Sequence, residues 1–314
     1  MTPQGRVVLI TGASSGIGRA TALLSAAAGD HLVLVARGLE SLYDVAAECD
    51  AAGAASTLVL AADVGDDAAM QACVAQALER HGHLDAAVHS AGVVAYGRTE
   101  EVPAAIFDGV IRTNLLGSVN LVRHVLPVLR RRRAGSIVLV GSVIGHIAVP
   151  MMSPYVLSKW GIRALARQLQ IENRDRSDVH VSYVSPGGVD TPIYLQAATY
   201  AGHVGRPPPP VVTPEAVARV VLRRLDHPRK RTQVGAANDL MRVAFSALPA
   251  VFDVLVGTLF PVGATDLTCE VPDREGNVLV SQPSGNRLRG NQGNPVVGVV
   301  RNLAVKLSAG FEGA

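Results

Sequence analysis

The chain has 314 residues, 48% hydrophobic and only 18% charged, against about 25% charged in average proteins, which excludes a disordered or fibrous chain and calls for a large core. A net charge of +3 with 4% aromatic residues supplies neither the basic field nor the stacking platforms that nucleic-acid binding uses, so no nucleic-acid partner is expected. Cys49, Cys73 and Cys269 have neither metal-type spacing nor the numbers for a disulfide framework, which fits a reduced, cytoplasmic setting, and with an apolar run already under way at Val7 no signal peptide is expected.

Short β-type runs alternate with longer stretches of helical period, the pattern of βαβ units and of a parallel sheet covered on both faces. Strands are predicted at 6–11, 31–36, 57–61, 85–90, 136–141, 179–184 and 232–235, and helices at 17–28, 40–52, 66–81, 104–132, 154–174 and 214–225. Right-handed crossovers between parallel neighbours make a doubly wound, Rossmann-like α/β sheet the economical solution, and one such domain accounts for residues 1–235. Residues 236–264 read as an apolar helical extension. Within it, 239–260 has three open readings: packing over a pocket, an oligomer interface, or peripheral contact with a membrane, the first two ranking ahead of the third. Residues 265–314, rich in Gly, Asn and Pro, read as a polar, flexible tail, with a weak basic amphipathic helix over 296–307.

Directly after the first strand stands Thr11-Gly12-Ala13-Ser14-Ser15-Gly16-Ile17-Gly18, with a helix following at once. Glycines at this first βα turn let backbone amides approach a pyrophosphate at a helix N-terminus. At the end of the second strand, where a carboxylate would bind the 2′-hydroxyl of NAD, the chain reads Val35-Ala36-Arg37. Arg37 offers a planar cationic fork for a 2′-phosphate, assisted by Ser14, which points to NADP(H). The same residues spell the G-x-S-x-G of a hydrolase nucleophile elbow, but almost no chain precedes them to build an oxyanion-hole loop. A phosphate loop of the nucleotide-hydrolase type fails as well, for Gly-Lys-Ser/Thr is required five residues after Gly12 and Ile17-Gly18 stands there.

A strand ends at Ser142, and a helix begins near Ser153-Pro154, which sets Tyr155 and Lys159 four residues apart on one face. Reduction of a carbonyl needs a hydroxyl to hold its oxygen and an acid to protonate it. Ser142 and Tyr155 fit those roles, with the Lys159 ammonium expected to draw the phenol below its ordinary pKa of about 10. No His cluster has metal-ligand spacing.

On these motifs the chain resembles the short-chain dehydrogenase/reductase family, specifically over residues 6–191 and more loosely to 235. The resemblance implies catalytic roles for Asn114, Ser142, Tyr155 and Lys159. It also implies cofactor contacts from Gly12, Ser14, Ser15, Gly16, Ile17, Gly18, Arg37, Asp63, Val64, Ala91 and Gly92, from Tyr155 and Lys159, and from Pro186, Gly187, Val189 and Thr191 of a P-G-x-x-x-T loop. An Arg after the second strand is typical of the NADP-preferring members. One departure stands out: His89-Ser90-Ala91-Gly92 replaces the usual Asn-Asn-Ala-Gly, and His89 reads as a structural rather than a catalytic residue.

Apolar residues between Ser142 and Tyr155, and a lid over 192–212 carrying Tyr194, Tyr200 and Pro207–Pro210, suit a lipophilic carbonyl or alcohol. The expected protein is an NADP(H)-dependent oxidoreductase assembling as a homodimer or homotetramer. The alternative is a non-catalytic NADPH-binding sensor or scaffold.

Overall fold

A computed structural model describes residues 5–312. Seven parallel strands, β1 (Val7–Thr11), β2 (His31–Ala36), β3 (Ser56–Ala61), β4 (Ala86–His89), β5 (Gly135–Val140), β6 (Val179–Pro186) and β7 (Arg231–Val234), form one sheet. Their spatial order is β3-β2-β1-β4-β5-β6-β7. The chain thus winds outward through β2 and β3, then returns past β1 to lay down β4. This reversal opens a crevice at the carboxyl ends of β1 and β4, where ligands bind in sheets of this type.

The alternation of side chains along each strand divides the core in two. Leu9, Val33, Val35, Ile137 and Leu139 face α3 (Asp67–His81), α5 (Gly117–Arg132) and α6 (Ser153–Glu172). Val8, Ile10, Leu32, Leu34 and Val138 face α1 (Gly16–Ala27), α2 (Leu39–Ala52) and α7 (Pro214–Asp226). Both sets are buried, which is why these strands read as continuous apolar runs. Local signals set the helix ends. Asp66 and Thr213 accept the amides of Ala69 and Ala216, and Gly53 and Gly82 close α2 and α3 in the left-handed conformation.

The stretch read as one helix over 104–132 is three pieces: α4 (Ala104–Ile111), a π-helical turn at Arg112–Leu116, and α5. A widened turn carries one extra residue without breaking the apolar face, so sequence periodicity does not reveal it.

Beyond the sheet, α8 (Asn238–Ala247) and α9 (Pro249–Ala264) separate at Leu248, whose φ of −134° leaves the helical region ahead of Pro249. Their inner sides cover a cavity at the carboxyl edge of the sheet. Their outer sides leave Val243, Val251 and Val254 exposed. Among the described residues no helix is long and apolar enough to cross a membrane.

The region read as a flexible tail carries β8 (Thr265–Glu270), paired antiparallel with His203–Gly205, and α10 (Pro295–Glu312). Between them 271–294 has little regular structure but runs in hydrogen-bonded contact along the edge of β1 and β2. Four Gly-Asn pairs punctuate it. The side chains of Asn277 and Asn286 reach Gln196, the amide of Asn291 reaches Asp190, and Asn294 caps α10 through the Val296 amide.

A Cβ at Gly18 would lie 2.1 Å from the Gly12 carbonyl oxygen, whereas one at Gly257 would meet nothing within 4 Å. Gly18→Ala is therefore expected to lower stability by about 1–3 kcal/mol through overpacking. Gly257→Ala is expected to be neutral or slightly stabilising, and urea denaturation of the two variants measures the contrast.

Candidate active site

The first βα turn is cramped backbone against backbone. Gly12 (φ +67°) has no room for a side chain, since a Cβ there would stand 2.6 Å from the Ala91 nitrogen. Thr11 completes the junction. Its hydroxyl pairs with His89 Nδ1 at 2.9 Å and accepts from the amides of Ser90 and Ala91. His89 is fully buried, and burial together with the nearby Lys159 ammonium pushes its pKa down to about 3. It is a neutral ring that ties β4 to β1.

Around this junction the structure gathers Gly12, Ser14, Ser15, Gly16, Ile17, Arg37, Asp63, Val64, Ala91, Gly92 and Thr191 on one cleft. Gly18 stands behind it, packed on the Gly12 carbonyl. The N-terminus of α1 borders the cleft through Ser15, Gly16 and Ile17, and the positive end of a helix dipole favours an anion there. Burial lowers the pKa of Arg37 while Asp63 opposes that shift, and the guanidinium stays cationic.

A second cavity, of about 630 Å³, adjoins the first and shares Ile17, Ser90, Gly92 and Thr191 with it. Ser142, Tyr155 and Lys159 open onto it, as do Pro186, Gly187 and Val189. Lys159 Nζ stands 5.4 Å from the centroid of the Tyr155 ring and donates to the Val140 carbonyl at 3.3 Å. Burial pushes the pKa of Lys159 down to about 8. Burial also raises the Tyr155 phenol above its ordinary value, and the hydrogen bond with Ser142 opposes this only partly. Lys159 does not draw that phenol down as expected, and burial holds Tyr155 as a neutral hydroxyl.

Asn114 lines neither cavity. It lies in the π-helical turn, fully buried, where Oδ1 accepts from the Val93 amide and Nδ2 donates to the Val93 carbonyl and to Ser158 Oγ. Ser158 in turn donates to the Tyr155 carbonyl. The residue joins the loop after β4 to the helix that presents Tyr155 and Lys159, and a Cβ placed on Gly92 would lie 3.4 Å from Asn114 Oδ1 and 3.8 Å from Lys159 Nζ.

Several residues at the site carry no motif. The Ser142 carbonyl accepts from the Tyr183 and Ser185 hydroxyls, which fixes the strand end, and Gly141 leaves the space that the Tyr183 ring fills. Part of the apolar wall comes from late in the chain, with Met241, Phe252, Leu255, Leu259 and Leu303. Gln196, Asn277, Ser281, Gln282 and Asn286 border the cleft around Arg37. The repeated Gly-Asn pairs are the one sequence signal that marks this last group as more than a linker.

The short chain dehydrogenase family profile matches residues 6–199. A bovine protein, dehydrogenase/reductase SDR family member 7B, is 33% identical over 204 residues, 63% of this chain and 62% of its own length. An alcohol dehydrogenase from the archaeon Thermococcus sibiricus, solved in complex with 5-hydroxy-NADP, superposes with a TM-score of 0.62 at 31% identity, covering 73% of this chain and 95% of that one. A 3-ketoacyl-ACP reductase from Sinorhizobium meliloti gives a TM-score of 0.65 at 26% identity over 75% and 99% of the two chains.

The depressed pKa of Lys159 makes stability depend on pH. With a folded value of about 8 and an unfolded value near 10.4, the unfolded chain binds more protons between those limits, so this residue makes stability rise with pH across that window. Below it the buried charge is a constant cost. Lys159→Met is expected to remove this rise, as read from denaturant midpoints of both proteins between pH 7 and about 10.

Proposed function

Because the chain belongs to the short-chain dehydrogenase family, we propose that it is an NADP(H)-dependent oxidoreductase that interconverts a lipophilic carbonyl compound and the corresponding secondary alcohol. One observation carries the reading: Ser142, Tyr155 and Lys159 open onto an apolar cavity that is continuous with the glycine-lined cleft.

The cleft suits a dinucleotide in chemistry as well as in shape. Gly12 and Gly18 let the turn approach a pyrophosphate, with the α1 amides as donors. Arg37 supports the 2′-phosphate form, and the Thermococcus neighbour, described with an NADP analogue, supports it too. Ser14, Ser15 and Ile17 of the turn would flank the phosphates, Asp63 and Val64 the adenosine, and Gly187, Val189 and Thr191 the nicotinamide end.

A bound nicotinamide would supply or accept the hydride at the substrate carbon. The rest falls to the protein. Ser142 donates a hydrogen bond to the substrate oxygen and holds it beside Tyr155. In the reducing direction Tyr155 gives its proton to that oxygen as negative charge develops there, and burial has kept the proton in place for this step. In the oxidising direction Tyr155 takes the proton back, and Lys159 stabilises the phenolate that receives it. Asn114 acts at one remove, holding α6 in register through Ser158. Residues such as Val149, Met152, Phe252 and Leu255 exclude water and accept an apolar body, which favours a lipophilic substrate over a sugar or a small acid.

Tyr155→Phe is expected to reduce turnover about 10²–10⁴-fold, the usual worth of a general acid, while leaving NADPH affinity nearly unchanged. A panel of lipophilic ketones and alcohols followed by nicotinamide absorbance measures it, and reaction with small polar sugars or acids alone would reject the substrate class. For the cofactor, Arg37→Ala is expected to cut the ratio of NADPH to NADH affinity about tenfold to a hundredfold, the loss of one charge-assisted hydrogen-bond set. Tighter binding of NADH than NADPH by the unaltered protein would reject the assignment.

A further inference from the structure

The segment 271–294 lies on the cleft assigned above to the cofactor, and it engages two of the groups that the phosphates need. The Arg37 guanidinium donates to the carbonyls of Asn277, at 2.5 Å, and Val278, at 3.0 Å. The Gly16 amide, first of the α1 N–H groups, donates to the Arg287 carbonyl at 3.0 Å. A backbone N–H directed at a carbonyl oxygen is not free for a pyrophosphate oxygen, and the guanidinium edge that faces two carbonyls is not free for a 2′-phosphate. The cleft has a volume of about 140 Å³, well under the roughly 300–1,000 Å³ of sites that enclose organic ligands.

The ends of the segment are fixed, Val271 and Arg274 to Gly202, Thr199 and Leu195 on one side and Arg289, Asn291 and Gln292 to Glu215, Asp190 and Gly205 on the other, and its middle is held by fewer contacts. Gln196 Nε2 donates to the Gln282 carbonyl and to Asn286 Oδ1, each at 3.1 Å, and its own carbonyl accepts the Asn277 amide. Asn286 also reaches Ser41, and Val278 is buried beside Ile106 and Val110. Most of these bonds involve backbone carbonyls or neutral amides, groups that water can serve once the middle of the segment lifts.

We infer that 271–294 is an intramolecular gate on the cofactor cleft, which in its closed arrangement holds Arg37 and the Gly16 amide and must lift before a dinucleotide phosphate can take them. The inference rests on the NADP(H) reading of the cleft and adds to it a competition between the chain's own carbonyls and the cofactor.

A cross-link tests the gate. An ideal Cβ on Gly38 would lie 3.2 Å from Ser281 Oγ, so Gly38→Cys with Ser281→Cys places two thiols at disulfide range, in a Cys269→Ser background to remove the exposed native thiol. Oxidation is expected to slow NADPH association about tenfold or more in stopped flow, with recovery on reduction, because binding then waits on a blocked conformational change. Saturating NADPH is expected to retard formation of the disulfide. A second variant acts the other way. Gly276 has φ +54° and a Cβ there would stand 2.3 Å from the Gln196 carbonyl oxygen, so Gly276→Ala is expected to loosen the segment and speed association. Equal association in the oxidised and reduced cross-link variant, or disulfide formation indifferent to NADPH, would overturn the gate and leave the cofactor reading standing. Failure of every form, including the unaltered protein, to bind NADPH or NADH would overturn that reading and the gate with it.

Discussion

Three segments meet at Gly12 with no side chain between them, and the rest of the site depends on that contact. The turn after β1 has the start of α1 on one side, where a Cβ on Gly18 would strike the Gly12 carbonyl, and the loop after β4 on the other, where a Cβ on Gly12 would strike Ala91. Neighbouring strands in a parallel sheet stand about 4.8 Å apart, so elements that leave their ends can touch only where bulk is missing. Two consequences follow. The N-terminus of α1 is brought to the cleft, and the chain after β4 is held so close that a Cβ on Gly92 would lie 3.4 Å from Asn114 Oδ1 and 3.8 Å from Lys159 Nζ. His89 fits the same logic, for its ring reaches Thr11 across the junction and binds the two strand ends without bringing a charge.

The chemistry of the candidate centre is set by burial more than by pairing. Lys159 has a single carbonyl as hydrogen-bond partner and no carboxylate among the causes of its shift, so desolvation alone moves its pKa to about 8. Tyr155 is pushed the opposite way by the same cause. The ordinary values of the two groups, about 10.4 and about 10, nearly coincide, and burial moves them apart, so that the phenol keeps its proton until charge develops beside it. The same apolar surroundings that the low charge content announced are therefore part of the proposed mechanism, and a more polar wall would return both groups towards their ordinary values.

The sheet was legible because its strands are buried on both faces and its helices are punctuated by Asp66, Thr213, Gly53 and Gly82, signals that are local in sequence. The motif residues were legible for a related reason: each is held by its own strand end or helix turn, so position in the chain implies position in space. Two kinds of feature escaped. The π-helical turn at Arg112–Leu116 leaves the apolar pattern of 104–132 intact, so nothing in the spacing separates α4 from α5. The contacts of 271–294 are made largely by backbone carbonyls, which every residue possesses, and so Asn277, Val278 and Arg287 carry no pattern that points to Arg37 or Gly16. Composition alone reads such a stretch as loose. Tyr183 and Ser185 escaped for a similar reason, as ordinary strand residues whose hydroxyls find the Ser142 carbonyl only once β5 and β6 are paired.

Polar chemistry and apolar selectivity are divided along the chain. Ser142, Tyr155 and Lys159 fall within residues 6–199, the span matched by the family profile, whereas much of the wall they face comes from α8, α9 and α10. The sheet and its flanking helices thus present the proposed reacting groups at a fixed edge, and the later helices complete the wall opposite them. The segment 271–294 joins these helices to the other half of the cleft, since it begins at β8, directly after α9, and ends at the cap of α10. Its two ends are therefore pinned to elements of the apolar wall, and its middle lies on Arg37 and Gly16. Any displacement of that middle has to be absorbed at the two ends, next to the residues that border the apolar cavity. The two halves of the site thus share one stretch of chain, 271–294, which runs from β8 across Arg37 and Gly16 to the cap of α10.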